Sequence, residues 1–124
     1  NYDVKHVSFL PHSELAEKLQ QADLFVFPSL LDSWAMIVIE AMACGTPAII
    51  TENTGAKDAI GKYGGGKIIE AGNVAPLKEI ILNYFSNPEE LRQHGELAAS
   101  AAKNYTWSHY YKEINNFVSK LNVN

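Results

Sequence analysis

Pro28–Pro47 reads PSLLDSWAMIVIEAMACGTP, a loop carrying one carboxylate joined to an apolar helical pattern carrying another. Just before it lies Leu24-Phe25-Val26-Phe27, framed by the polar Gln20-Gln21-Ala22-Asp23 and stopped by Pro28. Four apolar residues rich in β-branched and aromatic types, between turn signals, read as a strand buried on both faces of a parallel sheet. Trp34 to Cys44 follows, closed by Gly45, so the spacing predicts a helix over 34–44. A strand feeding a helix through a short loop leaves the unpaired N–H groups of the first helical turn at the carboxyl edge of the sheet. Open α/β sheets bind ligands at that edge, and helix N-termini favour phosphate.

Glu40 stands about two turns into that helix, among apolar neighbours. A carboxylate there requires a partner, because burying it unpaired is costly. Two vicinal hydroxyls, such as those of a ribose, would satisfy both oxygens. A lysine partner or a neighbouring backbone group would serve as well, and the spacing alone leaves these alternatives open.

The rest of the chain reads as support for that segment. Ser13 is placed as the N-cap of a short surface helix with Leu15, Ala16 and Leu19 on one side. Asn73 can cap a helix carrying Leu77, Ile80, Ile81 and Phe85, with Pro76 tolerated in its first turn. Asn87-Pro88-Glu89-Glu90 opens another helix in the same way and runs through alanines to about Asn104. With Thr106 as cap, Trp107–Leu121 has apolar residues at 107, 110, 111, 114, 117, 118 and 121, a broad helical stripe. The stripe either self-associates or packs on this domain.

Composition fits a globular piece of one modest domain: 124 residues, 47% hydrophobic and 19% charged, enough apolar content for a core. No stretch reaches the length of about 18 apolar residues that a membrane span requires, and no signal-peptide pattern is present. A formal net charge of −4 without a basic, aromatic-interleaved patch argues against a nucleic-acid partner. Cys44 is the only cysteine and reads as a small buried hydrophobe. His6, His12, His94 and His109 lack metal-ligand spacing, so no metal site is assigned.

Asp32-Ser33-Trp34-Ala35 followed by Glu40-Ala41-Met42-Ala43-Cys44-Gly45-Thr46-Pro47 resembles the donor-site signature of retaining GT-B glycosyltransferases of the group 1 family. That signature has two glutamates with seven residues between them, the second opening a run of the type E-A-M-A-x-G-x-P. Here Asp32 stands for the first glutamate and Ala35 for a usual glycine. The similarity extends along the chain. His6 to Pro11 resembles the family's strand and turn before a short helix, and Ala48-Ile49-Ile50-Thr51 to Gly55 the next strand and loop. Asp58 falls where the family tends to carry an acid. Gly64 to Ile69 with Gly72-Asn73 resembles the following strand and turn, and Tyr105-Thr106-Trp107 the opening of the last helix.

The resemblance implies an α/β, Rossmann-like parallel sheet with flanking helices, the latter part of the C-terminal domain of a GT-B enzyme. Residues 1–124 would form a single partial donor-nucleotide-binding domain, with an α/β core over 1–105 and a C-terminal helix over 106–122. It implies that Glu40 holds the ribose hydroxyls of a nucleoside-diphosphate sugar and that Asp32, the expected catalytic carboxylate, contacts the donor sugar. Backbone N–H groups near Ser33, Trp34, Ala35 and Met36 would face the sugar and diphosphate, and Gly55 would line the donor site. The expected reaction is metal-independent transfer of a hexose, with retention and no cofactor, from a UDP-sugar as the commonest donor. A non-catalytic nucleotide-binding or assembly domain with a degenerate donor site is the alternative. Expected partners are the nucleotide-sugar donor, a missing N-terminal domain and a second copy through the last helix, with no nucleic acid and no membrane span. The implied location is cytoplasmic, with peripheral membrane attachment open for a full-length protein. Basic residues for the diphosphate are expected upstream, with Lys57, Lys62 and Lys67 on later loops as the available substitutes.

Overall fold

A computed structural model describes residues 2–121. In chain order the elements are α1 (His12–Gln21), β1 (Phe25–Phe27), α2 (Met36–Ala43), β2 (Ala48–Thr51), α3 (Lys57–Tyr63), β3 (Gly66–Ile69), α4 (Val74–Ser86), α5 (Pro88–Ala102), a 3-10 turn over Lys103–Tyr105, and α6 (Trp107–Leu121). The three strands form one parallel sheet in the order β1-β2-β3, with Phe25 opposite Ala48 and Ala48 opposite Gly66. Parallel neighbours require a crossover, and α2 and α3 supply the two that the sheet uses. This is the α/β class with flanking helices that the sequence predicts.

Side-chain alternation along β2 sorts the core into two faces. Ala48 and Ile50 pack with Val38, Ile39 and Met42 of α2, Ala59 and Ile60 of α3 and Ala98, Ala101 and Ala102 of α5. Ile49 packs on the opposite face with Ile69 and Tyr84, joined by Leu77, Ile80 and Leu91. Helix α5 therefore starts near α4 and ends over α2 and α3. Small residues make that passage possible: a Cβ added at Gly95 would lie 2.6 Å from the Gly45 carbonyl oxygen.

The helix signals hold where they are local. Asn73 Oδ1 accepts from the Ala75 N–H at 3.2 Å, Asn87 Oδ1 from the Glu90 N–H at 3.3 Å, and Thr106 Oγ1 from the His109 N–H at 3.2 Å. At the end of α2, Gly45 takes φ of 81°, and the Thr46 and Gly45 N–H groups return to the carbonyls of Ala41 and Met42 at 3.0 and 2.9 Å. This double return is a Schellman motif, which closes the helix where the glycine predicts.

Other expectations are corrected. Residues 2–10 form no strand: His6–Leu10 makes no ladder with the free edge of the sheet, and Val7 and Phe9 stand exposed. Strand β1 is an edge strand whose residues are only half-buried, and the strand buried on both faces is β2. Helix α1 begins at His12, after Pro11, so Ser13 lies inside the first turn and caps nothing. Cys44 is half-buried, its Sγ donating to the Ala16 carbonyl at 3.8 Å. No residue of α6 is buried, so the stripe does not pack on this domain; Trp107, Tyr110 and Tyr111 pack mainly on one another, with ring centroids 5.9–6.3 Å apart. No described helix is long and apolar enough to cross a membrane.

Candidate functional site

The loops that leave the carboxyl ends of β1 and β2 are bonded to each other. At the end of β2, the buried Thr51 hydroxyl donates to the Ser29 carbonyl at 2.5 Å and pairs with the Thr54 hydroxyl at 3.1 Å. Asn53 Nδ2 donates to the Leu30 carbonyl at 3.1 Å. The Asp32 N–H donates to the Asn53 carbonyl at 3.1 Å, and the Gly55 N–H donates to the Asp32 carbonyl at 3.2 Å, one isolated rung of parallel pairing between Asp32 and Thr54. Loop 28–35 is thus held from below by loop 52–56. Gly55 is required there by close approach rather than by φ, since a Cβ would lie 2.1 Å from the Ser33 carbonyl oxygen and 3.0 Å from Trp34 Cα.

Within loop 28–35 the chain turns through its own side chains. Asp32 Oδ1 accepts from the Trp34 N–H at 3.0 Å, a local turn that this residue type favours. Ala35 follows at φ 58° and ψ 66°, the left-handed region, and its carbonyl accepts from the Val38 N–H at 2.9 Å. The left-handed residue ends the loop, so α2 starts at Met36 rather than at Trp34. The Trp34 ring turns aside onto Tyr105, with centroids 5.7 Å apart, and Tyr105 meets Tyr63 edge-on at 6.2 Å. Burial pushes the Tyr105 phenol up from its ordinary value.

Helix α2 carries no acid in its first turn and no side-chain cap, so a ligand acceptor there meets the positive end of the helix without competition. Met36, 47% exposed, stands at its start and Glu40 one turn further on the same face. The Glu40 side chain is one-third exposed, not enclosed, and its Oε1 lies 3.4 Å from His12 Nε2. The partner is neither a lysine nor a backbone group. The structure brings Asp32, Ser33, Trp34 and Gly55 into one bonded unit, with Ala35 and Met36 at its exit. Glu40 makes no hydrogen bond to that unit among the described residues.

Two of the three candidate lysines are engaged and none lies on a loop. Lys67 sits on β3 and pairs with Glu90 at 2.9 Å, while the Lys62 ammonium on α3 lies 4.9 Å from the Tyr63 ring centroid. Lys57 is exposed at the start of α3, beside Asp58 in the same turn. Among the described residues no three His, Cys, Asp or Glu side chains gather as a metal-binding group. The sequence reading missed Thr51, Asn53 and Thr54, which hold the loop, and His12, which meets Glu40. The polar run after β2 was a legible turn signal. Nothing in the linear sequence announces His12, which is 28 residues from its partner.

Residues 1–101 match the family described as Glycosyl transferases group 1. The chain is 29% identical over 94 residues to the D-inositol 3-phosphate glycosyltransferase of Paenarthrobacter aurescens, covering 76% of this chain and 23% of that protein. It is 32% identical over 95 residues to the protein of the same name from Pseudarthrobacter chlorophenolicus, covering 77% of this chain and 23% of that one. Among solved structures, sucrose-phosphate synthase from Thermosynechococcus elongatus superposes with a TM-score of 0.81 at 23% identity, over 93% of this chain and 29% of that chain. That likeness assigns the fold to the GT-B type.

Proposed function

The chain belongs to the glycosyl transferases group 1 family, and from that premise we propose that it binds a nucleoside-diphosphate sugar and serves metal-independent transfer of a hexose with retention. The observation that carries this reading is the bonded pair of loops at the carboxyl edge of the sheet, opening onto the uncapped start of α2. Glu40 takes the ribose hydroxyls. Backbone N–H groups of Met36 and its neighbours meet the diphosphate, where the helix end contributes about 0.3–1 kcal/mol per favourable charge and up to about 2 in partly buried geometry. Asp32 keeps Oδ2 for a sugar hydroxyl while Oδ1 holds the turn at Trp34. Gly55 lets the two loops close, and Ser33, Trp34 and Ala35 offer backbone rather than side chain.

As the diphosphate leaves, negative charge grows on its oxygens. Fixed N–H dipoles stabilise that charge without reorganising, and the rigid loop orients the sugar. UDP-sugars are the first donors to try. The chain spans 23% of the length of the two relatives above, and in this reading a further domain presents the acceptor and closes the cleft.

The test is ligand-observed NMR of UDP-, GDP- and ADP-sugars with this chain and with Glu40→Ala. A donor signal lost in the variant supports the ribose assignment, and an unchanged signal removes it. One observation favours a second reading, a binding or assembly domain without turnover: the carboxylate expected at the sugar already serves as a loop cap. Donor binding without turnover in the full-length protein selects that reading.

A further inference from the structure

Three contacts fix α1 alongside α2. His12 Nε2 faces Glu40 Oε1 at 3.4 Å, Cys44 Sγ donates to the Ala16 carbonyl at 3.8 Å, and the Thr46 hydroxyl donates to the Leu19 carbonyl at 2.6 Å. The two helices therefore advance in the same direction. Their register is anchored at the far end by Thr46, which is buried, so His12 meets Glu40 as a consequence of that anchoring. The pair itself is at the surface, with the imidazole 80% exposed and the carboxylate 33%. Exposed pairs of this kind add little stability. What the contact does is restrict the rotamers of a carboxylate that stands beside the start of α2.

With the carboxylate as acceptor, the imidazole donates from Nε2 and keeps Nδ1 as an acceptor. Glu40 Oε2 and His12 Nδ1 have no hydrogen-bond partner among the described residues. Nδ1 lies across the ring from the carboxylate, so the unpartnered Oε2 is the acceptor that this pair leaves beside it for an O–H donor of a vicinal diol. We propose that His12 is a nucleoside-positioning residue: through Nε2 it aims the Glu40 carboxylate at the ribose hydroxyls. This rests on the assignment of Glu40 to the ribose.

The test measures dissociation constants of UDP, GDP and ADP with the wild-type chain. The tightest of the three, and its 2′-deoxy form, are then titrated against His12→Ala, His12→Gln, Glu40→Ala and the His12→Ala/Glu40→Ala double variant, with the melting temperature of each recorded. The expected result is about a tenfold weakening in His12→Ala at unchanged melting temperature. His12→Gln recovers most of it, and the double variant binds no more weakly than Glu40→Ala. The penalty for lacking the 2′-hydroxyl shrinks in His12→Ala, which a merely structural role would not produce. Wild-type affinity in His12→Ala beside a weakened Glu40→Ala overturns the role of His12 and leaves the ribose assignment standing. Additive losses in the double variant make His12 an independent contact and overturn positioning. Wild-type affinity in Glu40→Ala, or no binding of any of the three nucleotides by the wild type, overturns both.

Discussion

Gly55→Ala is the substitution that most directly tests how the donor loop is held. The added Cβ would sit 2.1 Å from the Ser33 carbonyl oxygen, and real Cβ atoms essentially never come within 3.0 Å of such a neighbour, so the two loops must part by about 1 Å. That movement stretches the Asp32 to Asn53 and Gly55 to Asp32 bonds, now 3.1 and 3.2 Å, beyond hydrogen-bonding range. Two backbone bonds at about 0.5–1.5 kcal/mol each give a loss of about 1–3 kcal/mol. The general cost of overpacking a well-packed site falls in the same range of about 1–3 kcal/mol. For a chain of this size that lowers the melting temperature by about 4–12 °C. Urea unfolding followed by tryptophan fluorescence, with Trp34 next to the break, reads the change. Donor binding reads the second consequence, because a displacement of about 1 Å in a positioned group can reduce rate a hundredfold. An unfolding midpoint equal to wild type would refute the argument that loop 52–56 holds loop 28–35 at this contact.

Two further outcomes follow from the same geometry. Ala35→Gly relieves a left-handed alanine, worth about 1–2 kcal/mol, against about 0.4–1 kcal/mol of added unfolded-state entropy. The expected gain is about 0.5 kcal/mol in chemical denaturation, and a clear loss would contradict the φ of 58°. Burial, with Lys67 nearby, holds the His94 imidazole below its ordinary value, while burial pushes the Tyr84 hydroxyl, paired with His94 Nδ1 at 2.5 Å, up. The unfolded chain therefore binds a proton at His94 first as pH falls through about 6.5, and stability present above this value is lost below it. Thermal melts between pH 7 and 5 should show the decline in wild type and a flatter profile in His94→Gln; identical slopes would remove His94 as the cause.

The helix ends at Asn73, Asn87, Thr106 and Gly45 were legible because their causes are local, whereas the starts of α1 and α2 and the absence of a strand over 6–10 were not. Asn73, Asn87 and Thr106 cap within three residues, Gly45 reverses the chain within two, and the apolar period of α6 is complete in its own sequence. The family resemblance pointed to β2 as a strand, and its burial pattern follows from standing between two parallel neighbours. Asp32 to Met36 and Glu40 could be named from one motif and Gly55 from the loop after β2, and the structure places Asp32 to Met36 on one loop and its exit. How those residues are held was not legible.

By itself the sequence determined the α/β class, the family signature and the caps at Asn73, Asn87 and Thr106, since backbone propensity and capping act over a turn or two. Only the tertiary structure decided that β1 lies at the edge, that 2–10 form no strand, and that Ala35 delays α2. It also decided that Thr51 reaches Ser29 across 22 residues and His12 reaches Glu40 across 28. Those are contacts between segments that only the closed sheet brings together, and no pattern along the chain encodes which side chain will face which.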